Sequence, residues 1–188
     1  MMSDRSARII IVCEDTQQHV FARRVLMKLG VPNHDLHWEN APRGMSDAKQ
    51  WIREKGLPAE WAAFNGYCRK NSKNRRVLFV VSDADEKTAE QRIVDLAAQC
   101  NPTPGIEDHV CFVVPKWAIE TWFKFLRGEP SDEGSKITRS DKYPCARDCW
   151  DDADRLAMLC EGGSLPANAP ASLRSTCERF AKIRKQLR

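Results

Sequence analysis

A chain of 188 residues with 42% hydrophobic content is long enough to bury one good core and short for two complete domains. Its longest apolar runs, Ile9–Cys13 and Val77–Val81, fall far short of the roughly 20 residues that a membrane-spanning helix needs, and the first of them is too short for the apolar segment of a signal peptide. A cytoplasmic protein without membrane association is therefore expected. The net charge of +4 permits an anionic partner without requiring one.

Arg8-Ile-Ile-Ile-Val-Cys13 is a β-branched run of the kind that forms a strand buried on both faces of a parallel sheet. From Gln17 to Leu29 the apolar positions Val20, Phe21, Val25, Leu26 and Leu29 recur at helical spacing, and Gly30 and Pro32 end the pattern. Leu36-His-Trp38 reads as a short second strand, Asn40 to Gly44 as a polar turn, and a helix begins near Ser46 or Asp47. Another helix is expected over Pro58 to Cys68.

Arg76 to Ser82 is the strongest strand signal, followed by a helix from about Lys87 to Cys100, a Pro- and Gly-rich loop from Asn101 to Asp108, a strand Val110 to Val114 and a helix Trp117 to Leu126. Strands alternating with helices indicate an α/β fold with a parallel sheet. Gly128 to Pro144 is polar and reads as a linker, leaving two helices, about Ala146 to Cys160 and Ala171 to Leu187. The predicted organisation is an α/β domain over residues 1–128 and a linker with a C-terminal helical appendage over 129–188. Leu173, Cys177, Phe180 and Leu187 give the last helix an apolar face for packing.

Eight cysteines in a chain with a core and no export signal are expected as free thiols rather than a disulfide framework. Cys13 and Cys111 fall in strand-like runs, where thiols behave as small hydrophobes. Cys145-x-x-x-Cys149 with Cys160 has only weak zinc-like spacing. Two basic segments stand out: Arg69 to Arg76, and the last fifteen residues, which contain Lys182 and Lys185. Both fit solvated surface or phosphate contact; Arg75, Arg76, Lys182 and Lys185, with Arg43 in the polar turn, are the candidate nucleic-acid contacts.

Residues just past the carboxyl ends of parallel strands share one crevice, where ligands bind. Three strands end there in polar residues: Glu14 and Asp15, then Asp83 and Asp85, then Lys116 and Glu120. Crowded carboxylates repel unless a cation neutralises them. Mg²⁺ suits such a site because it takes oxygen ligands, one or two carboxylates, and substrate phosphate. In extended backbone Asp83 and Asp85 would point the same way and reach one metal.

Ile9-Ile-Ile-Val-Cys-Glu14, followed by a helix, and Leu78-Phe-Val-Val-Ser-Asp83-Ala-Asp85 resemble the Toprim fold of topoisomerases, primases and the nuclease domains of overcoming-lysogenization-defect proteins. Val113-Val-Pro-Lys-Trp-Ala-Ile-Glu120-Thr-Trp-Phe is similar to small stand-alone Toprim-like proteins of anti-phage defence loci. The resemblance covers about residues 8 to 127. It implies a Rossmann-like sheet and Mg²⁺- or Mn²⁺-dependent phosphodiester chemistry. Asp83 and Asp85 would hold the metal, and Glu14 would bind a second metal or activate water. Glu120 would be an extra ligand, and Lys116 would stabilise the leaving oxygen. Glu14 is followed by Asp15-Thr-Gln-Gln rather than a Gly-rich stretch, and Tyr67 and Tyr143 lie outside the core pattern. Both departures turn the expectation from strand passage and priming to hydrolysis. With no Walker-type phosphate loop, any associated ATPase or sensor would be a separate protein.

Two other functions share these landmarks. A receiver-like phosphorelay domain would use Glu14-Asp15, Asp83 as phosphoacceptor and Lys116. A non-catalytic Toprim-like subunit would keep the acids as structural groups and present its basic C-terminal helix to a partner.

Overall fold

The computed structural model describes residues 9–40, 48–70, 76–105, 109–134, 136, 145–162 and 165–187. Four parallel strands form one sheet: β1 (Ile9–Cys13), β2 (Leu36–Asn40), β3 (Val77–Val81) and β4 (Val110–Val113), in the order β2-β1-β3-β4. Every residue of β1 and β3 is buried, which is why these segments are continuous apolar runs rather than alternating ones.

Because side chains alternate across a strand, the two faces of the sheet carry separate cores. Ile9, Ile11, Phe79, Val81 and Val113 pack on one side with α1 (Thr16–Lys28) and α5 (Glu120–Leu126). Ile10, Val12, Leu78, Val80 and Phe112 face the other side, against α3 (Leu57–Lys70) and α4 (Ala89–Ala98). The result is an α/β protein with helices on both faces of a parallel sheet, compatible with a Rossmann-like fold.

The two helices expected near Ser46 and Pro58 form one nearly continuous rod. The short α2 (Ala48–Trp51) runs through a π-helical turn, Ile52–Gly56, into α3. A Cβ at Gly56 would meet the Trp51 ring at 2.6 Å, so a larger residue there would have to displace that ring. Irregular turns of this kind re-aim the residues beside them, and α2 carries Lys49, which reaches the carboxyl end of the sheet.

The C-terminal helices α6 (Trp150–Gly162) and α7 (Ala171–Leu187) pack onto the body of the protein. Ala153, Leu156, Leu173, Cys177 and Phe180 belong to the same buried cluster as β1, β3 and β4, and Phe180 stacks on Phe79 of the central strand with centroids 5.4 Å apart. Trp122 Nε1 donates to Ser172 Oγ at 2.8 Å, and Arg179 Nη1 to the Phe112 carbonyl at 2.5 Å. Each buried apolar side chain of this size contributes about 1.5–3 kcal/mol, so α6 and α7 supply a substantial share of one core.

The expectation that all cysteines are free thiols is corrected at two positions: Cys160 and Cys177 form a disulfide joining α6 to α7. Cys160 is thereby removed from the weak zinc-like spacing with Cys145 and Cys149. Among the described residues, no helix is long and apolar enough to cross a membrane.

Candidate active site at the strand switch point

The order β2-β1-β3-β4 reverses direction between β1 and β3. At such a switch point the connections leave on opposite sides of the sheet and open a crevice beyond the carboxyl ends of the two strands. Cys13 is in register with Val81. The next residues, Glu14 on one strand and Ser82 and Asp83 on the other, therefore meet at the crevice floor.

Glu14 is only 6% exposed. Its Oε1 accepts from Ser82 Oγ at 2.6 Å and from the Asp83 backbone N–H at 3.2 Å, while its own N–H donates to Gln18 Oε1 at 3.0 Å. Burial pushes its pKa up to about 7; the Ser82 hydrogen bond and the Lys49 charge oppose that rise without cancelling it. Asp15 is an N-cap, with its carboxylate accepting from Gln18 N–H at 2.8 Å.

Asp83 is half-buried as a residue, but its Oδ1 is sealed from solvent and has no hydrogen-bond partner among the described residues. Burial raises its pKa well above the usual carboxylate range, and the nearby charges of Glu14 and Glu120 raise it further. Glu120, 3% exposed in the first turn of α5, thus belongs to the same electrostatic cluster. Sequence spacing grouped these three acids, and the fold assembles them.

Asp85 does not follow the extended backbone path that alternation suggested. Its φ of 55° places it in the left-handed region, so the extended-backbone argument for a side chain parallel to that of Asp83 does not hold. Its carboxylate pairs with Lys49 and, at 3.0 Å, with Arg92 Nη2. Trp117 also has positive φ, 64°, and forms an antiparallel bridge with Asp85. Positive φ is uncommon for aspartate and an outlier for tryptophan, and two such residues side by side concentrate strain at this rim. Ala84 N–H to the Pro115 carbonyl (2.9 Å) and Asp85 N–H to the Trp117 carbonyl (3.3 Å) hold it.

Lys116 Nζ donates to the carbonyls of Asp85 (3.0 Å) and Lys87 (2.7 Å) and lies 4.4 Å from the Trp117 ring centroid, so it braces the strained rim. Lys49, Ser82 and Arg92 complete the site and were not expected. Burial lowers the Lys49 pKa, but hydrogen bonding to Asp85 and the charges of Glu14, Asp85 and Asp83 outweigh it, leaving a net rise. Lys49 is thus a built-in counter-charge. Ser82 ends the predicted strand and was legible there as a hydroxyl at a strand end; Lys49 and Arg92 come from helices, with no local motif to mark them.

Of the five basic residues predicted to contact nucleic acid, two have described side chains, Arg76 and Lys182. Arg76 packs on Tyr67, 3.4 Å from its ring centroid. Lys182 is exposed on α7. Arg43, Arg75 and the Lys185 side chain lie outside the described residues.

The acids fit a divalent cation in charge and chemistry: Asp83 keeps an unpartnered buried oxygen, and burial, with neighbouring acids adding to it, pushes both Glu14 and Asp83 toward their protonated forms. Among the described residues, no group of three or more His, Cys, Asp or Glu side chains is preassembled around a metal position. Comparison with protein-family models, with curated proteins and with solved structures finds no match, so function is inferred from this geometry.

Proposed function

We propose that this protein is a Mg²⁺-dependent phosphodiesterase acting on nucleic acid, a Toprim-like nuclease, with the switch-point crevice as its active site. The observation that carries this proposal is Asp83: a carboxylate with a sealed, unpartnered oxygen, facing the charges of Glu14 and Glu120 where parallel-sheet proteins bind ligands.

Asp83 and Glu14 would hold the cation, with Glu120 behind them. When bound, the cation neutralises phosphate charge and lowers the pKa of water for attack on phosphorus. Ser82 and the Asp83 backbone N–H fix the Glu14 carboxylate through the oxygen they share. Lys49 offers positive charge to an incoming phosphate once a cation relieves it of the acids. Arg92 keeps Asp85 in place when Lys49 moves. Recruitment as the effector of an anti-phage defence system, with a separate ATPase or sensor, is part of the proposal on the strength of the resemblance.

The test is incubation of purified protein with plasmid, single-stranded DNA and total RNA, with Mg²⁺, Mn²⁺ or EDTA, beside Asp83→Asn. Cleavage that needs metal and disappears in the variant supports the proposal. Metal binding without cleavage of any substrate would assign the crevice to a non-catalytic or phosphoryl-accepting role.

A further inference from the structure

A second cleft, of about 380 Å³, lies between α1 and the start of α6 and is lined by Val20, Arg23, Arg24, Met27, Arg147 and Trp150. Its residues sit along α1 and around the 3₁₀ turn Ala146–Cys149, and none of them is among the crevice acids. Three arginines and an exposed indole share this lining. Trp150 is 43% exposed, with the Arg24 and Arg147 guanidinium carbons 5.3 and 5.9 Å from its ring centroid.

The three arginines are not equivalent. Arg24 is locked in a two-pronged pair with Asp154, at 2.6 and 2.7 Å, which Lys28 shares at 3.2 Å. Arg23 donates through Nε and Nη2 to the neutral Asn33 Oδ1 at 2.9 and 2.7 Å and lies over Trp38. Arg147 is exposed, and its contact is the Trp150 ring. Among the described residues, Arg23 and Arg147 have no carboxylate partner. The other nearby acids are Asp151, whose charge acts on Arg24, and Asp148, which accepts from the Cys145 N–H. Positive charge therefore exceeds negative in a partly apolar cleft.

We propose that this cleft binds a nucleotide, its base stacked on Trp150 and its phosphate held by Arg147 and Arg23. A purely apolar occupant would strand uncompensated guanidinium groups, and a bare phosphate would leave Trp150, Met27 and Val20 uncovered. A flat aromatic ring joined to an anion satisfies both halves. Guanidinium groups match phosphate oxygens in planar, paired hydrogen bonds, and bases of every kind stack on indole. The volume falls in the range of small-molecule sites, about 300–1,000 Å³. Arg24, immobilised by Asp154, gives the cleft a preformed wall, so little conformational freedom has to be lost on binding. The same chemistry is offered by a free mononucleotide and by one nucleotide of a single strand.

Calorimetric titration of the full chain with adenosine monophosphate, adenosine, ribose 5-phosphate and a short oligothymidylate tests the proposal and separates the two sources. Saturable binding of the monophosphate is expected, with adenosine and ribose 5-phosphate each at least about tenfold weaker. Arg147→Ala and Trp150→Ala, both at exposed positions, should each weaken it about tenfold, and Asp83→Asn should leave it unchanged. An oligonucleotide that binds more tightly than the monophosphate identifies a strand-tracking site; the reverse identifies a free-nucleotide site. Absence of saturable binding by all four probes would overturn the proposal. Undiminished binding in both the Arg147 and Trp150 variants, or loss of binding in Asp83→Asn alone, would do so too.

Discussion

Asp83 and Asp154 are the same residue type in opposite circumstances. Asp154 bridges α6 to α1 through Arg24 and Lys28; the hydrogen bond from Arg24 is the main reason its pKa lies below the usual carboxylate value. Asp83, half-buried at the end of the central strand, has one oxygen sealed and unpartnered, and its pKa is raised by burial and by two neighbouring acids. A carboxylate that only holds a fold together is compensated by its own chain. One left short of positive charge destabilises the fold unless something from outside supplies it, and stability given up at one place is the physical mark of a ligand site.

Exchanging each for its neutral isostere should separate the two roles most sharply. Asp83→Asn is expected to lower metal-dependent cleavage by at least about a hundredfold, as loss of a metal-holding group does, whereas Asp154→Asn should leave the cleavage rate unchanged. Equal losses in both variants would dissolve the contrast.

Stability should move in the opposite sense. The folded-state pKa of Glu14, about 7, lies above its ordinary value of 4.5. Folding therefore favours the protonated form: the Glu14 contribution is fully present below pH 4.5 and is lost as pH rises through 7. Glu14→Gln retains an oxygen to accept from Ser82 and the Asp83 N–H. In the absence of metal it is expected to be more stable than the parent by on the order of 2 kcal/mol at about pH 8. Urea midpoints at that pH and at about pH 4.5 check this, since the advantage should vanish in acid.

Lys49 refines the contrast further, because it is the partial compensation the crevice does possess. Lys49→Met should strengthen Mg²⁺ binding about tenfold by removing a like charge while destabilising the metal-free protein. A weaker affinity would mean that Lys49 positions the acids rather than competing with the cation. The smallest effect is expected at the compensated pair: Asp154→Ala should cost only about 1 kcal/mol, measured by urea denaturation, since the pair is partly exposed.

The strands were legible because β1 and β3 are buried on both faces, which writes them as unbroken apolar runs, and the end of such a run locates the crevice. Glu14, Asp83 and Glu120 could be grouped because parallel topology brings strand ends together whatever their separation in sequence. What could not be read depends on tertiary placement. Lys49 arrives on a helix that runs through a π turn, and Asp85 leaves the extended path because Lys116 and Trp117 hold it there. The polar stretch after Gly128 reads as a linker to a helical appendage. Yet Leu173, Cys177 and Phe180 fill the same core as β3, since an apolar helix face does not state what it will pack against.

The central claim is that the crevice acids await a divalent cation, and the most direct measurement is a Mg²⁺ titration of the wild-type protein by calorimetry near pH 7 in two buffers of different ionisation enthalpy. Binding is predicted, with proton release from the acid cluster seen as a buffer-dependent heat, and with both the binding and the proton release abolished in Asp83→Asn. Absence of Mg²⁺ binding by the wild-type protein, or binding of equal strength in Asp83→Asn, would contradict the account.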